Sequence, residues 1–206
     1  MAFCKRFKTR KKFCGKSVFT FLRIQKKNHL NLNEVYKMLG CSKQNISYWR
    51  MHSYSTQSKK SLYEVIRRAE YLFNLSAEEA ETLFNSAGLS LEFEGGDPVK
   101  VLGYHGKLTD LCCRAMISDR MLRLYKQKTP TKQTLMALAV VLNKNSDEID
   151  KLLHKYGYCL SDSIIADVVV KWYLKENKSN DNQILFSSIN ETLEKMGLPL
   201  LMTKQS

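Results

Sequence analysis

The sequence predicts an all-α protein, built from two similar helical modules in tandem and a C-terminal extension of two helices. Apolar residues recur at helical spacing along most of the chain after residue 16. Glycine and proline cluster at one place, residues 93–106. One segment also recurs, because Leu72–Leu91 aligns with Val141–Leu160 at an offset of 69 residues. Together these observations predict two copies of one helical unit with a linker between them.

The boundaries follow from the same features. We expect a basic N-terminal arm followed by two modules that a linker separates and a helical extension closes. In chain order the segments are the arm 1–16, the first module 17–92, the linker 93–106, the second module 107–160 and the extension 161–206. The two helices of the extension are expected at about Ser163–Glu176 and Asp181–Met196, and Gly197 and Pro199 then end the second helix.

The recurring segment has features of a helix with defined ends. In each copy a capping residue is followed three positions later by a glutamate, as a capping box requires. A glycine later in each copy suits the left-handed conformation that ends a helix. The paired residues are Ser76 and Asn145, Glu79 and Glu148, and Gly88 and Gly157.

Composition restricts the classes of protein. The chain has 206 residues, of which 44% are hydrophobic, so it forms one or two domains with a real core. No apolar run is long enough to span a membrane and no secretory signal is visible, so we expect a cytoplasmic, nucleoid-associated protein without a membrane partner. The six cysteines are then expected to be reduced thiols.

Positive charge is concentrated in two blocks. The formal net charge is +13, but residues 1–60 carry +14 and residues 107–132 carry +5. Residues 61–106 and 133–206 carry −5 and −1. Two basic blocks predict two surfaces that contact a polyanion, with solvated faces as the alternative interpretation.

The arm is the most basic part of the chain, with seven Lys and Arg residues in residues 1–16. Such arms follow phosphates or enter the minor groove of DNA. RNA and a membrane surface are the alternatives, although Phe3, Phe7 and Phe13 lack the spacing of an amphipathic helix. The residues expected to contact the DNA backbone are Lys5, Arg6, Lys8, Arg10, Lys11 and Lys12.

Residues Leu32–Met51 have the pattern of two short helices joined by a tight turn. Gly40 follows an apolar helical face at a place where the chain must turn with a positive φ, and Ser42 suits the N-cap of the next helix. Ile46 and Trp49 are expected to pack back onto the first helix. The remaining outward side chains include amide and basic groups and no acid, which suits base edges and phosphates. They are Lys43, Gln44, Asn45, Ser47, Tyr48 and Arg50.

This arrangement resembles the helix-turn-helix of the Cro/repressor family, also called XRE-like. Leu39 to Ser42 stand where that family has Leu, Gly, a small residue and Ser, and Ile46 to Trp49 stand where it has Ile-Ser-x-Trp. The resemblance implies a five-helix, λ-repressor-like module over about Ser17–Leu91, with Ser42–Met51 as the recognition helix. It departs from the family at Tyr36, where a small residue is usual. A helical hairpin without a role on DNA is the alternative.

A second copy of the motif is weaker. Asp110–Lys126 aligns with the first motif at an offset of 76 residues, so that Met116 falls on Gly40 and Ser118 on Ser42. Three core-facing positions of the first motif also have counterparts, because Cys112 falls on Tyr36, Leu122 on Ile46 and Tyr125 on Trp49. Met116 implies either strain or a turn of different construction. The expected DNA-facing residues, opposed by Asp119, are Arg120, Arg123, Lys126 and Lys128. The alternative is a retained fold that packs on protein.

The sequence offers little for metal binding or catalysis. No Cys-x-x-Cys pair occurs, and Cys41 and Cys112 fall at core-facing places of the two motifs, where cysteine acts as a small hydrophobe. The histidines His29, His52, His105 and His154 stand in no recognisable pairing with Cys or Ser. We expect no cofactor, no metal and no enzymatic activity.

The most favoured function is binding of double-stranded DNA by a transcriptional regulator. Gln44, Asn45 and Ser47 would read bases, while Lys43, Tyr48, Arg50 and the arm would hold phosphates. The alternative is a protein-interaction module. Its partner, a toxin or a polymerase subunit, would bind the helical core or the C-terminal helices, and only the first module would touch nucleic acid.

Overall fold

The computed structural model describes residues 29–42, 44, 59–176 and 181–201. Within these ranges the secondary structure is helical, with no β-strand. The predicted all-α fold class is therefore confirmed.

The chain divides into two compact units. Of the described residues, those up to Leu89 form the first unit together with 161–165, and residues 90–160 form the second together with those from Ala166 onwards. The described helices of the first unit are α1 (Leu32–Met38), α2 (Lys59–Phe73) and α3 (Ala77–Ser86). Those of the second unit, apart from the first residue of α9, are α4 (Pro98–Val101), α5 (Leu108–Ala115), α6 (Asp119–Leu124), α7 (Lys132–Val141), α8 (Ser146–Lys155), α9 (Ile165–Glu176) and α10 (Asn182–Lys195).

The first unit has its described core between α1, α2 and α3. Val35 and Leu39 of α1 are buried, as the apolar face of that helix predicts. In α3, Leu83 and Phe84 are buried, and the Phe84 ring lies 5.0 Å from that of Tyr63 on α2. Removal of such apolar surface from water is the main force that holds short helices of this kind in place.

The two copies of the predicted repeat have the same backbone geometry at both ends of their helix. The Ser76 and Asn145 side chains accept bonds from the Glu79 and Glu148 amides, and both glutamates complete capping boxes. Gly88 and Gly157 each have a φ of 70°. The residues before the two helices also match, because Asn74 and Asn143 adopt φ values of 45° and 58°. Two segments that share both termini of one helix in this detail have one local fold.

The second unit is organised around α7. Every residue from Thr134 to Val141 is buried, so this helix has no solvent-exposed face in that stretch. Helices α5, α8 and α10 pack against it. A helix that is apolar all round must be enclosed, and α7 meets that condition.

The two helices predicted for the C-terminal extension are both present, as α9 and α10. Asp181 caps α10, and Gly197 follows its end with a φ of 65°. The Tyr173 hydroxyl on α9 lies 2.8 Å from the Thr192 hydroxyl on α10. A buried ion pair of 2.5 Å joins Lys132 Nζ at the start of α7 to Asp167 Oδ2 of α9. These helices are thus part of the second unit's core.

The segment predicted as a linker has more structure than a free connection. The amides of Glu94 and Gly95 both donate to the Lys155 carbonyl at 2.8 Å. Asp97 caps the single turn α4, which begins with Pro98 as its first residue. Residues 93–106 accordingly lie within the second unit. In the described ranges no helix is long and apolar enough to cross a membrane.

Candidate nucleic-acid interface

The turn after α1 has the geometry that its sequence predicts. Asn31 and Glu34 form a capping box that starts the helix. Gly40 then adopts a φ of 68°, and the Cys41 amide donates to the Tyr36 carbonyl at 2.9 Å. A side chain at position 40 would be unfavourable for two reasons. The left-handed conformation is costly for any residue with a Cβ, and that Cβ would lie 2.3 Å from Arg68 Nη1.

Arg68 explains why the approach is so close. Its Nη1 atom donates to the Leu39 carbonyl at 2.9 Å and so satisfies an oxygen that the end of α1 leaves without a helical partner. The first turn is therefore fixed by α2 as well as by its own residues. The importance of Arg68 is not visible in the motif, because it lies 29 residues from its acceptor.

Ser42 and Gln44, two of the predicted DNA-contacting residues of this motif, lie in the described chain, and both are exposed. The rest of the predicted recognition face, Lys43, Asn45, Ser47, Tyr48 and Arg50, lies outside the described residues, as do Ile46 and Trp49. The predicted arm residues Lys5, Arg6, Lys8, Arg10, Lys11 and Lys12 lie outside them too.

The second turn repeats the first with a different residue. Met116 has φ 52° and ψ 42°, the left-handed conformation, and the Ile117 amide donates to the Cys112 carbonyl at 3.0 Å. Of the two possibilities that the sequence leaves open, the structure has the strained turn and not a different construction. Cys112 is buried, as its alignment with Tyr36 predicts, and Tyr36 is buried as well.

Helix α6 follows with its polar side outward. Ser118 caps it by accepting from the Met121 amide at 3.3 Å. Leu122 and Tyr125 are buried, as expected from their alignment with Ile46 and Trp49. The Tyr125 hydroxyl lies 3.2 Å from the Thr134 hydroxyl of α7, which fixes α6 to the centre of the unit.

The four predicted basic residues of the second motif, Arg120, Arg123, Lys126 and Lys128, are all exposed. Arg123 is not independent, because its Nε atom donates to Asp119 Oδ2 at 2.7 Å. The opposition that the sequence suggests for Asp119 is thus a specific ion pair. The face therefore presents three separate cations and one cation held by a carboxylate.

Two other bases of the 107–132 block are used inside the unit. The Arg114 guanidinium donates to the Val141 carbonyl at the end of α7, and Lys132 forms the buried pair with Asp167. Both contribute to the positive charge of the block, but neither is fully exposed. The sequence contains a partial signal for Lys132, because it begins a helix whose following residues are nearly all apolar. The signal for Arg114 is absent, since its acceptor is a backbone carbonyl 27 residues away.

Three of the described thiols, those of Cys41, Cys112 and Cys159, have environments that favour the neutral form. Burial raises the pKa of Cys112, with the Asp119 carboxylate acting in the same direction. Burial also raises the pKa of Cys41, and it raises that of Cys159 to about 11. Neutral thiols are poor metal ligands and poor nucleophiles. No group of three or more His, Cys, Asp and Glu side chains that could hold a metal ion occurs in the part of the chain that the structure describes.

One histidine makes a pairing that the sequence does not reveal. His154 Nδ1 lies 3.1 Å from the Ser90 hydroxyl, and its Nε2 lies 3.6 Å from Asp150 Oδ2. Ser90 is buried, and its oxygen also accepts from the Glu92 amide at 3.1 Å. The buried hydroxyl, already engaged on two sides, closes residues 90–92 onto α8. The arrangement therefore joins residues 90–92 to α8 within the second unit.

No protein-family model, curated protein or solved structure matches this chain.

Proposed function

We propose that this protein binds double-stranded DNA through two helix-turn-helix motifs in tandem and acts as a transcriptional regulator. One observation carries the proposal. The turn at Gly40 and the turn at Met116, 76 residues later, share a left-handed residue and the same closing hydrogen bond, at 2.9 and 3.0 Å. Other helices of the chain end in the same way, for example at Gly157, so the turn alone is not specific. The turns at Gly40 and Met116 are distinguished by the serine that stands two residues later at the start of the next helix, Ser42 and Ser118, as in a helix-turn-helix, whose second helix lies in the major groove.

The surface chemistry of the second motif supports the proposal. Helix α6 buries Leu122 and Tyr125 and leaves Arg120 and Arg123 exposed at its outer side. Lys126 and Lys128 continue the exposed basic surface beyond its end. Cations on an exposed helix and the loop after it are suited to phosphates and base edges. In the first motif the corresponding roles belong to Gln44, Asn45 and Ser47 for bases and to Lys43, Tyr48, Arg50 and the arm for phosphates.

A protein partner for the second unit is the alternative, and one observation favours it. Met116 and Ile184 are 37% and 58% exposed although both are large and apolar. Their segments meet at one place, because Gln183, next to Ile184, donates from Nε2 to the carbonyl of Arg114, two residues before Met116, at 3.2 Å. Exposed apolar side chains at one place on a surface are typical of protein contacts.

Salt dependence of binding separates the two functions. The protein is titrated against a random 24-base-pair duplex at two salt concentrations, and so is a variant with Arg120→Gln, Lys126→Gln and Lys128→Gln. Each phosphate contact that is lost should flatten the slope of log affinity against log salt by about 0.9. We expect the triple variant to flatten it by up to about 2.7.

The matched control removes the same charge from the same unit. Lys100, Lys151 and Lys175 are exposed in the second unit and lie on α4, α8 and α9. Their replacement by Gln should leave the slope close to that of the wild type. Equal slopes for the two triple variants would show that α6 does not face DNA, and absence of duplex binding by the wild type would overturn the proposed function.

A further inference from the structure

The exposed basic residues of α6 and of the loop after it form one surface, here called the α6 surface. Its members are Arg120, Arg123, Lys126 and Lys128, and Arg123 is the member that is paired with a carboxylate. Its Nε atom donates to Asp119 Oδ2 at 2.7 Å, while its side chain remains 71% exposed. Among the described residues, its two terminal nitrogens make no hydrogen bond. The guanidinium is thus held at one edge and open at the other.

The anchor is itself held against the protein. Asp119 is the first residue of α6, directly after the capping Ser118, and its side chain is 41% exposed. Its Oδ1 atom is buried without a hydrogen-bond partner among the described residues, so the outer Oδ2 atom is the one that meets Arg123. The partly buried carboxylate thus presents Oδ2 to an arginine that lies one helical turn later.

The open edge of Arg123 has a specific complement. A guanidinium whose Nε is engaged still presents two parallel N–H donors at its terminal nitrogens. The N7 and O6 atoms of guanine form the matching pair of acceptors in the major groove, and bidentate arginine is the side chain that meets them best. A fixed guanidinium also loses less conformational freedom when it forms that contact.

The charge of the pair argues against a phosphate contact. Asp119 and Arg123 together have no net charge, so the pair gains little from approach to a phosphate. Arg120, Lys126 and Lys128 are exposed and carry the net positive charge of this surface. Phosphate binding is thus assigned to these three residues, and Arg123 is free for the bases.

We propose that Asp119 is a positioning residue that holds Arg123 so that it reads a guanine in the major groove beneath the second unit. This inference rests on the proposed function, because it requires DNA at the α6 surface. An ordinary ion pair between residues four apart would stabilise α6 slightly and have no effect on base preference.

The test is a selection of bound sequences from a pool of 20-base-pair random duplexes, carried out with the wild type, Arg123→Lys and Asp119→Asn. The wild type should enrich guanine at a position where Arg123→Lys reduces the preference by about tenfold. Asp119→Asn should reduce the preference at the same position severalfold. Since this substitution removes one negative charge, the variant should also bind the unselected pool at least as tightly as the wild type.

The control variant is Glu191→Gln, which breaks the Lys195–Glu191 pair on α10, also four residues apart and 3.4 Å long. Glu191→Gln also removes one negative charge, and it should leave the selected sequence unchanged. Circular dichroism melts of all variants establish that each is folded. If the wild type binds duplexes but Asp119→Asn and Arg123→Lys select its sequence unchanged, the inference is overturned and the proposed function stands. If the wild type binds no duplex, both are overturned.

Discussion

Helices α2 and α7 occupy equivalent places in the repeat, yet they have opposite relations to solvent. At an offset of 69 residues Tyr71 aligns with Val140 and Leu72 with Val141. Tyr71 and Leu72 are 86% and 39% exposed, whereas both valines are fully buried. The difference has a structural cause in the second unit, where α10 packs against α7. The equivalent helices are thus amphipathic in the first unit (α2) and enclosed in the second (α7), where a C-terminal helix, α10, packs against α7.

The turns at Gly40 and Met116 also differ in what holds them in the left-handed conformation. Gly40 has the residue that a positive φ favours, and its position is fixed further by Arg68. Met116 adopts the same conformation without that advantage. Strain of this kind persists where the surrounding packing determines the backbone, and the enclosed second unit provides such packing. The comparison predicts that the first unit depends on its turn residue and the second on its core.

The largest effect is expected at the buried ion pair of the second unit. Asp167→Ala leaves Lys132 buried without its carboxylate, which should lower the free energy of unfolding by about 3–5 kcal/mol. The residue that aligns with Lys132 in the first unit is Tyr63, which is only half-buried, and Tyr63→Phe should change stability little. Urea denaturation followed by circular dichroism measures both.

The double variant Lys132→Met with Asp167→Leu is the control for that experiment. Apolar residues of similar volume should restore most of the lost stability, because no charge then remains buried. If the double variant is as unstable as Asp167→Ala alone, packing at this place is more important than the charge.

The next effect concerns the turns. Gly40→Ala should destabilise the first unit by about 2–3 kcal/mol, from the left-handed backbone and from the displaced Arg68 hydrogen bond. Met116→Ala should change the second unit by under about 0.5 kcal/mol, since both residues bear a Cβ. Hydrogen exchange of the α1 and α5 amides reports the two effects separately. Equal effects at the two positions would contradict the role assigned to Arg68.

Local signals in the sequence predicted much of this fold. The capping boxes at Ser76 and Asn145, the turn at Gly40 and both helices of the C-terminal segment are confirmed. Each depends on residues within a few positions of one another, and the physics of helix ends acts over that distance. The same reasoning placed Leu122 and Tyr125 correctly in the core.

Contacts between distant residues were beyond the sequence argument. The Arg68 and Arg114 hydrogen bonds join groups 29 and 27 residues apart, and Lys132 meets Asp167 across 35 residues. Periodicity identifies which side of a helix is apolar, but it does not identify the element that packs there. For this reason the basic block does not reveal that Arg114 and Lys132 bond within the unit, and the glycines of residues 93–106 do not reveal the hydrogen bonds to Lys155. The base-reading and phosphate-holding roles stay predictions.

A smaller effect should be equal in the two units. Ser76→Ala and Asn145→Ala each remove the acceptor for an N-terminal amide, at 3.2 and 3.0 Å, and each should cost about 1 kcal/mol. Local exchange of the first amides of α3 and α8 provides the measurement. A cost that differs more than twofold between the units would mean that the surroundings outweigh the cap.

The smallest effect is a pH dependence that distinguishes the two caps. The Asn145 amide, and then Lys144 at 3.1 Å, hold the pKa of Glu148 below its ordinary value. In the first unit Leu75 stands where the second has Lys144. A carboxyl whose pKa is lower in the folded state stabilises the fold above its unfolded pKa, and that contribution is lost as the pH falls through the folded value.

The difference in stability between the wild type and Glu148→Gln should therefore be present at pH 7 and should diminish below about pH 4. Because Glu148 is exposed, high salt should reduce the part of the difference that Lys144 contributes, and Lys144→Leu should abolish that part. A wild-type advantage that persists unchanged at pH 2 would contradict the assigned role of the ionised carboxylate.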